Sequence, residues 1–310
     1  MSATASSLSV VSPRSHIPWW KRHQTKYLLL SLVFVLPALI NFAVFRYYPM
    51  LWAGWASLWN YSLLGGFKNF VGLGNYLRAL TGDPILLQSM GVTLTFVLVK
   101  VPVQTALALA LAVFANQNKP GMGMMRAIIF MPVVTSFIVV SIVWGMILNK
   151  DVGLLNGFLE TIGQPRLGYL TSPQNALPTV ILISIWKDVG YSVIILVAGL
   201  KGISSTFYEA AIVDGAGPWQ SFVSITLPML RRSLMFVLVT TTIASFQVFI
   251  PVYQLTQGGP SQATNVIVYY LYNKAFIFGE MGYASAVSII LLIILLVVSV
   301  VQMRLLRSDD

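Results

Sequence analysis

Two charged side chains, Lys187 and Asp188, stand side by side in the middle of an apolar run at residues 176–200. An ionisable group inside a membrane costs at least about 2.5–3.5 kcal/mol on insertion scales, so such residues mark a polar pathway or an interhelical contact. Neighbours in sequence do not share a helix face, so the two need not pair with each other. The next apolar run, 229–253, has a polar aspect in Thr240, Thr241, Thr242, Ser245 and Gln247. Hydroxyls and amides of this kind can bind a hydroxylated solute, although bonding between helices is their commoner use. Trp186, Tyr191, Phe246 and Phe249 offer rings that could stack on a sugar, against the ordinary use of aromatics as packing. Lys187, Asp188, Tyr191, Phe246 and Gln247 are therefore the candidate pathway residues. Lys100, in an earlier apolar run, reads as a snorkelling or packing lysine.

No catalytic constellation accompanies them. The chain has no cysteine, and its two histidines, His16 and His23, both fall in the N-terminal segment. Zinc-protease, serine-hydrolase and phosphate-loop motifs are all missing. The expectation is a transport subunit and not an enzyme, with no metal site and no cofactor of its own.

The elements that must position these residues are membrane helices. Of the 310 residues, 57% are hydrophobic and 9% charged, with a mean hydropathy of +0.79. A soluble domain carries about 25% charged residues. Six apolar runs, at 27–48, 89–116, 126–148, 176–200, 229–253 and 283–306, each meet or approach the ~20 residues that a helix needs to cross a bilayer. Continuous runs of this kind argue for helices, since a barrel needs alternating segments of about 10 residues. The expected organisation is a basic N-tail (1–26), a six-helix domain (27–306) and a short tail (307–310). Pro37 is expected to kink the first helix, and residues 50–88 are read as an exposed, aromatic-rich loop.

The net charge of +10 sits in short flanks of the apolar runs, which points to topology and lipid head groups and away from nucleic acid. Eleven Lys and Arg fall on the side of the two tails and six on the other. The positive-inside rule then places both termini, and the connection at 199–228, in the cytoplasm.

That connection is the most locally encoded stretch of the chain. Thr206 and Glu209 fit a capping box for a short helix over 207–213. Asp214-Gly215-Ala216-Gly217 ends it, and Pro218 suits the first turn of a second short helix.

The 199–228 stretch resembles the E-A-A loop of the membrane permeases of binding-protein-dependent ABC importers. The matching residues are Glu209-Ala210-Ala211, Asp214-Gly215-Ala216 and the ending Ile225, Leu227, Pro228. FVGLGNY, RAIIFMPVV, GLLN, AGL, LTQGGPSQAT and GYASA are similar to the carbohydrate branch, the maltose-type and glycerol-3-phosphate-type permeases. At Gly91-Val92-Thr93 that branch would have an Asn-Thr pair. The resemblance implies a type I permease fold with six helices and both ends inside, in a bacterial or archaeal cytoplasmic membrane. It implies that Glu209, Ala210, Ala211, Asp214, Gly215 and Ala216 form a coupling helix docking on an ABC ATPase dimer, which would hold the ATP and Mg. A second permease subunit and an extracytoplasmic solute-binding protein complete the implied complex. The implied solute is a sugar, with a polyol phosphate as the alternative. An ion-coupled secondary transporter is the rival from another class, and an intramembrane enzyme a further one.

Overall fold

The computed structural model describes residues 23–117 and 119–306. Residues 1–22 of the basic N-tail and the 307–310 tail lie outside the described residues.

Helix α1 (His23–Phe42) passes through a wider turn (Ala43–Tyr47) into α2 (Tyr48–Ala56). Pro37 is inside α1. Together these contain an apolar stretch, Leu30–Ala56, long enough to span a membrane. The expected end near residue 48 is corrected by eight residues, because the chain stays helical through the wide turn, where Tyr48 N–H bonds the Ala43 carbonyl, and on past Pro49. Side chains from 30 to 52 are exposed, as suits lipid.

The following loop is not irregular throughout. Strands β1 (Trp59–Ser62) and β2 (Gly66–Phe70) pair antiparallel, with Tyr61 opposite Phe67. This hairpin departs from the all-helical expectation, and stacked Tyr61 and Phe67 rings, with centroids 4.4 Å apart, help hold it. A short helix, α3 (Gly74–Leu77), and a wide turn (Arg78–Gly82) lead to the first long helix of the body.

That helix, α4 (Pro84–Ala115), starts five residues before the apolar run at 89. Asp83 is its N-cap, accepting from the N–H groups of Ile85 and Leu86, and Pro84 occupies the first turn. The third apolar run is two helices, α5 (Met122–Val134) and α6 (Phe137–Ile147), bent by 94° at Thr135–Ser136. After α7 (Leu154–Thr161) comes α8 (Pro173–Lys201), the most buried of the long apolar helices. The cytoplasmic-loop candidate holds α9 (Ser205–Val213), α10 (Pro218–Ser221), a wide turn (Phe222–Thr226) and α11 (Leu227–Met229). Then α12 (Arg231–Phe246) ends at Gln247, short of residue 253, and a separate α13 (Ile250–Leu255) follows. Helix α14 (Ile267–Tyr272) and a wide turn (Asn273–Ile277) precede the last helix, α15 (Met281–Leu306).

Among the described residues, four helices can cross a membrane by length and composition, or up to six if each bent pair makes one span. The core runs along α4, whose Ala108, Ala112 and Ala115 lie in one buried cluster with Val189, Val193 and Leu196 of α8 and Val237 of α12. Small residues at this spacing let the helices approach closely, which replaces the hydrophobic drive that lipid removes. Gly190 serves the same end: an added Cβ there would sit 2.4 Å from the Ile129 carbonyl oxygen of α5.

Candidate functional site

The adjacent charges Lys187 and Asp188 do point apart. Asp188 turns toward α4, where its Oδ2 accepts a hydrogen bond from Lys100 Nζ at 2.7 Å. The Lys100 side chain is only 4% exposed and the Asp188 side chain 35%, so the carboxylate offers the accessible edge of this ion pair. Lys100 therefore does not snorkel. It is half of a pair that joins α4 to α8, and a chain separation of 88 residues hides that partnership from sequence reading.

Lys187 serves the bent span instead. Its Nζ donates to the Val133 carbonyl at 3.1 Å and lies 5.6 Å from the centre of the Phe137 ring. A helix that breaks leaves its last carbonyls without partners, and a cation is favourable there. Lys187 thus supplies a donor at the 94° bend between α5 and α6.

A cavity of about 370 Å³ opens beside the ion pair, lined by Lys100, Phe137, Ser184, Asp188, Gln247 and Phe249 among others. Gln247 reaches it because α12 ends there and the chain turns before α13. Of the five pathway candidates, Asp188 and Gln247 line this space. Lys187 does not, Tyr191 lies on another, half-exposed face, and Phe246 is buried among Val97, Val101 and Ile267. Ser184 and Phe137 are lining residues that sequence reading missed. A carboxylate, an amide and two aromatic rings in one hollow can hold a hydroxylated, partly apolar solute by hydrogen bonding and ring contact.

The second candidate region is at the far end of α8. Gly199 fixes where it begins, since an added Cβ would lie 2.4 Å from Ser233 Oγ and 2.9 Å from Leu230 Cδ2. The capping box is corrected: the N-cap is Ser204, whose Oγ accepts from the Thr206 N–H at 3.4 Å. The Ser204-Ser205-Thr206 run offers three hydroxyls, and the earliest takes the role. With Ser204 as N-cap, Phe207 and not Glu209 occupies the third helical position.

The end of α9 is a Schellman motif. Ala216 N–H donates to the Ala211 carbonyl at 2.8 Å and Gly215 N–H to the Ile212 carbonyl at 3.0 Å. Gly215 has φ +79°, the left-handed conformation this motif requires. Tyr208 Oη lies 2.9 Å from Thr226 Oγ1 and ties α9 to the returning chain. Ala211 is buried, whereas Glu209, Ala210, Asp214 and Gly215 are exposed and Ala216 is half-buried. Ile212 is 70% exposed, Val213 87% and Trp219 75%, a dense apolar edge around a helix of nine residues.

The family of binding-protein-dependent transport system inner membrane components matches residues 104–308. The chain belongs to this family. It is 34% identical over 275 residues to the trehalose/maltose transport system permease protein MalF of Thermococcus litoralis, covering 89% of this chain and 92% of that one. It is 36% identical over 277 residues to the lactose transport system permease protein LacF of Rhizobium radiobacter, covering 87% and 91%. A bacterial alginate ABC transporter, solved in complex with an alginate pentasaccharide-bound periplasmic protein, contains a chain similar at TM-score 0.81 and 26% identity, over 93% of this chain and 97% of that one. The fold is that of a type I ABC permease.

Several motifs that carried the resemblance turn out to hold this permease together. Asn156 of GLLN is fully buried and bonds the Asn149, Lys150 and Leu167 carbonyls and the Leu167 N–H. Asn75 of FVGLGNY donates to the carbonyls of Ser57 and Trp59. In GYASA, Gly282 lets the Trp59 carbonyl approach to 2.1 Å of where a Cβ would be, and Tyr283 donates to Asp83 Oδ2 at 2.7 Å. Tyr270 donates to the same oxygen. Burial pushes the Asp83 carboxyl up, but the two phenols, the Leu86 N–H and nearby Lys274 outweigh it, and its pKa falls below the ordinary value. Thr93, where the branch pattern wants an Asn-Thr pair, accepts from the Ile267 N–H at 2.8 Å and so still joins α4 to α14.

Proposed function

We propose that this chain is the membrane-spanning permease subunit of an ATP-driven importer, and that it carries a neutral carbohydrate. In this reading the chain crosses the cytoplasmic membrane of a bacterium or archaeon six times, each bent pair making one span, with both termini inside. Helix α9 enters a cleft of an ABC ATPase subunit, and ATP and Mg reside on that dimer. ATP-driven closure of the dimer pushes α9 and its counterpart on a second permease subunit, opening the cavity toward a loaded extracytoplasmic binding protein. Hydrolysis resets the cavity inward.

The observation that carries the reading is the exposed apolar edge of α9. A nine-residue helix locked at both ends, displaying Ile212 and Val213 beside Trp219, has the form of a part built to enter another protein. Family membership and the excess of Lys and Arg on that side support an ATPase as the partner. The carbohydrate is supported by the names of the relatives and by the cavity chemistry. Lys100 neutralises Asp188 within the cavity wall, so no free cation awaits a phosphate, which favours a neutral sugar over a polyol phosphate. The same pairing removes the one acid in the middle of the apolar helices from an ion-coupling role, against a secondary transporter. The half-exposed face with Tyr191 is available to the second permease subunit as part of a shared pathway.

The test is uptake into proteoliposomes holding the full complex and its binding protein, across a panel of neutral sugars and glycerol-3-phosphate. ATP-dependent accumulation of a neutral sugar is expected, and the purified chain alone should hydrolyse no ATP. Uptake that persists without ATP and collapses with an uncoupler would sink the reading.

A further inference from the structure

The motif LTQGGPSQAT is not used by the interior cavity. It folds over the first turn of α4 and, with the turn after α14, encloses a separate hollow of about 440 Å³. Four side-chain amides line it, Gln257, Gln262, Asn265 and Asn273, together with the rings of Tyr269 and Phe278. Ile85 of α4 also lines this hollow, whereas Lys100 lines the interior cavity. At a rise of 1.5 Å per residue the two lie about 22 Å apart along that helix.

The walls are set before any ligand arrives. Thr264 Oγ1 donates to the Gly259 carbonyl at 2.7 Å, and Asn265 Nδ2 donates to Gln262 Oε1 at 2.8 Å. Gln257, Ser261 and Gln262 all hold left-handed backbone conformations, which side chains other than glycine rarely adopt. Asn265 is only 7% exposed, and its Oδ1 has no hydrogen-bond partner among the described residues. A buried acceptor left unpaired is destabilising, and a ligand hydroxyl can satisfy it.

We propose that this hollow is a second saccharide site, at the end of the permease opposite the coupling loop, that takes one neutral, hydroxyl-rich sugar unit. The inference rests on the carbohydrate-importer reading. Each amide offers both donors and an acceptor, the combination that neighbouring sugar hydroxyls need, and the rings offer flat faces for the sugar's C–H surface. Neutrality follows from the charges that meet here. Lys274 lines the hollow but lies 3.7 Å from Glu280, which Arg78 also contacts at 2.8 Å, while Asp83 stands behind Tyr270. Two cations face two carboxylates, leaving no surplus charge for a uronate or a phosphate.

The test is saturation-transfer NMR on the full complex in detergent, without its binding protein, using maltose, trehalose and lactose, with glycerol-3-phosphate as the anionic comparison. Transfer to at least one neutral sugar is expected. In a Gln247→Ala background, which weakens the interior cavity's share, it should fall at least five-fold on adding either Asn265→Leu or Phe278→Ala. Phe278 is 66% exposed, so its variant keeps the fold even if Asn265→Leu does not. Absence of transfer to every neutral sugar, transfer in the Gln247→Ala background that Phe278→Ala leaves unchanged, or stronger transfer to glycerol-3-phosphate each overturns the site. The carbohydrate reading fails separately, if proteoliposomes with the binding protein import none of these sugars.

Discussion

The two ends of α4 use locally encoded sequence in opposite ways. At the Ala115 end, α9 is fastened by its own caps and by the Tyr208–Thr226 contact, and it turns Ile212, Val213 and neighbouring Trp219 outward. At the Pro84 end, Asp83, Asn75, Gly282 and Tyr283 all turn inward and bind one another's elements. One end therefore leaves an apolar edge exposed, and at the other the Asp83 cluster is used for internal cohesion beside the hollow. Damage to the α9 edge should cost function with little loss of stability, and damage to the Asp83 cluster should cost stability first.

The largest effect expected is at Gly215. Tryptophan there meets no atom within 4 Å of its Cβ, so the packing of the chain itself does not resist it. Its φ of +79° adds a local strain of about 1–2 kcal/mol. The indole would nonetheless project from the end of α9, the helix proposed to enter the ATPase. Gly215→Trp should insert in the membrane at wild-type levels and lose ATP-dependent uptake by 10-fold or more, through an uncoupled or detached ATPase. Normal uptake by this variant would remove α9 from the coupling role.

The next effect lies at the opposite end. Asp83→Ala removes an N-cap, worth about 0.5–2 kcal/mol. It also strands the Tyr270 and Tyr283 hydroxyls, both on residues under 5% exposed, at about 1–3 kcal/mol each. A loss of about 3 kcal/mol or more should appear as a clear fall in unfolding temperature of the purified chain, whether or not an ATPase is present. If the variant unfolds like wild type but fails to transport, the Asp83 cluster is functional in its own right and the contrast with α9 breaks down.

The contrast also explains what the sequence made legible. Helix existence was plain, because long apolar runs allow little else in lipid. Boundaries shifted at local punctuation: Asp83 with Pro84 started α4 early, and the wide turn at Ala43–Tyr47 carried the first helix past its expected end. The bend at Thr135–Ser136 was marked in the sequence only by Pro132 and the two hydroxyl residues, and its support, Lys187, comes from another helix. The α9 motif could be read from local rules, since a Schellman ending needs only Gly215 and its neighbours. The Lys100–Asp188 pair and the Asp83 cluster could not, because each joins residues that only tertiary packing brings together. Motifs such as GLLN and GYASA signalled kinship correctly while leaving open that their work is structural.

The smallest predicted effect isolates the charge on Asp83. Its folded-state pKa is held below the ordinary 3.8. An unfolded chain therefore binds the proton more readily than the folded one in the window just under that value. Stability from the carboxylate is complete above about pH 5 and drains away as pH falls through the folded-state pKa. Asp83→Asn keeps a capping side chain but has no such titration, so the difference in unfolding temperature between wild type and this variant should shrink as pH drops from about 6 to about 3. Contributions from other acids are common to both chains and cancel in the difference. A difference that stays constant, or grows, across this range would mean that the phenols of Tyr270 and Tyr283 do not favour the charged form. The inward-turned end would then depend on shape, with Gly282 and the hairpin as its main supports.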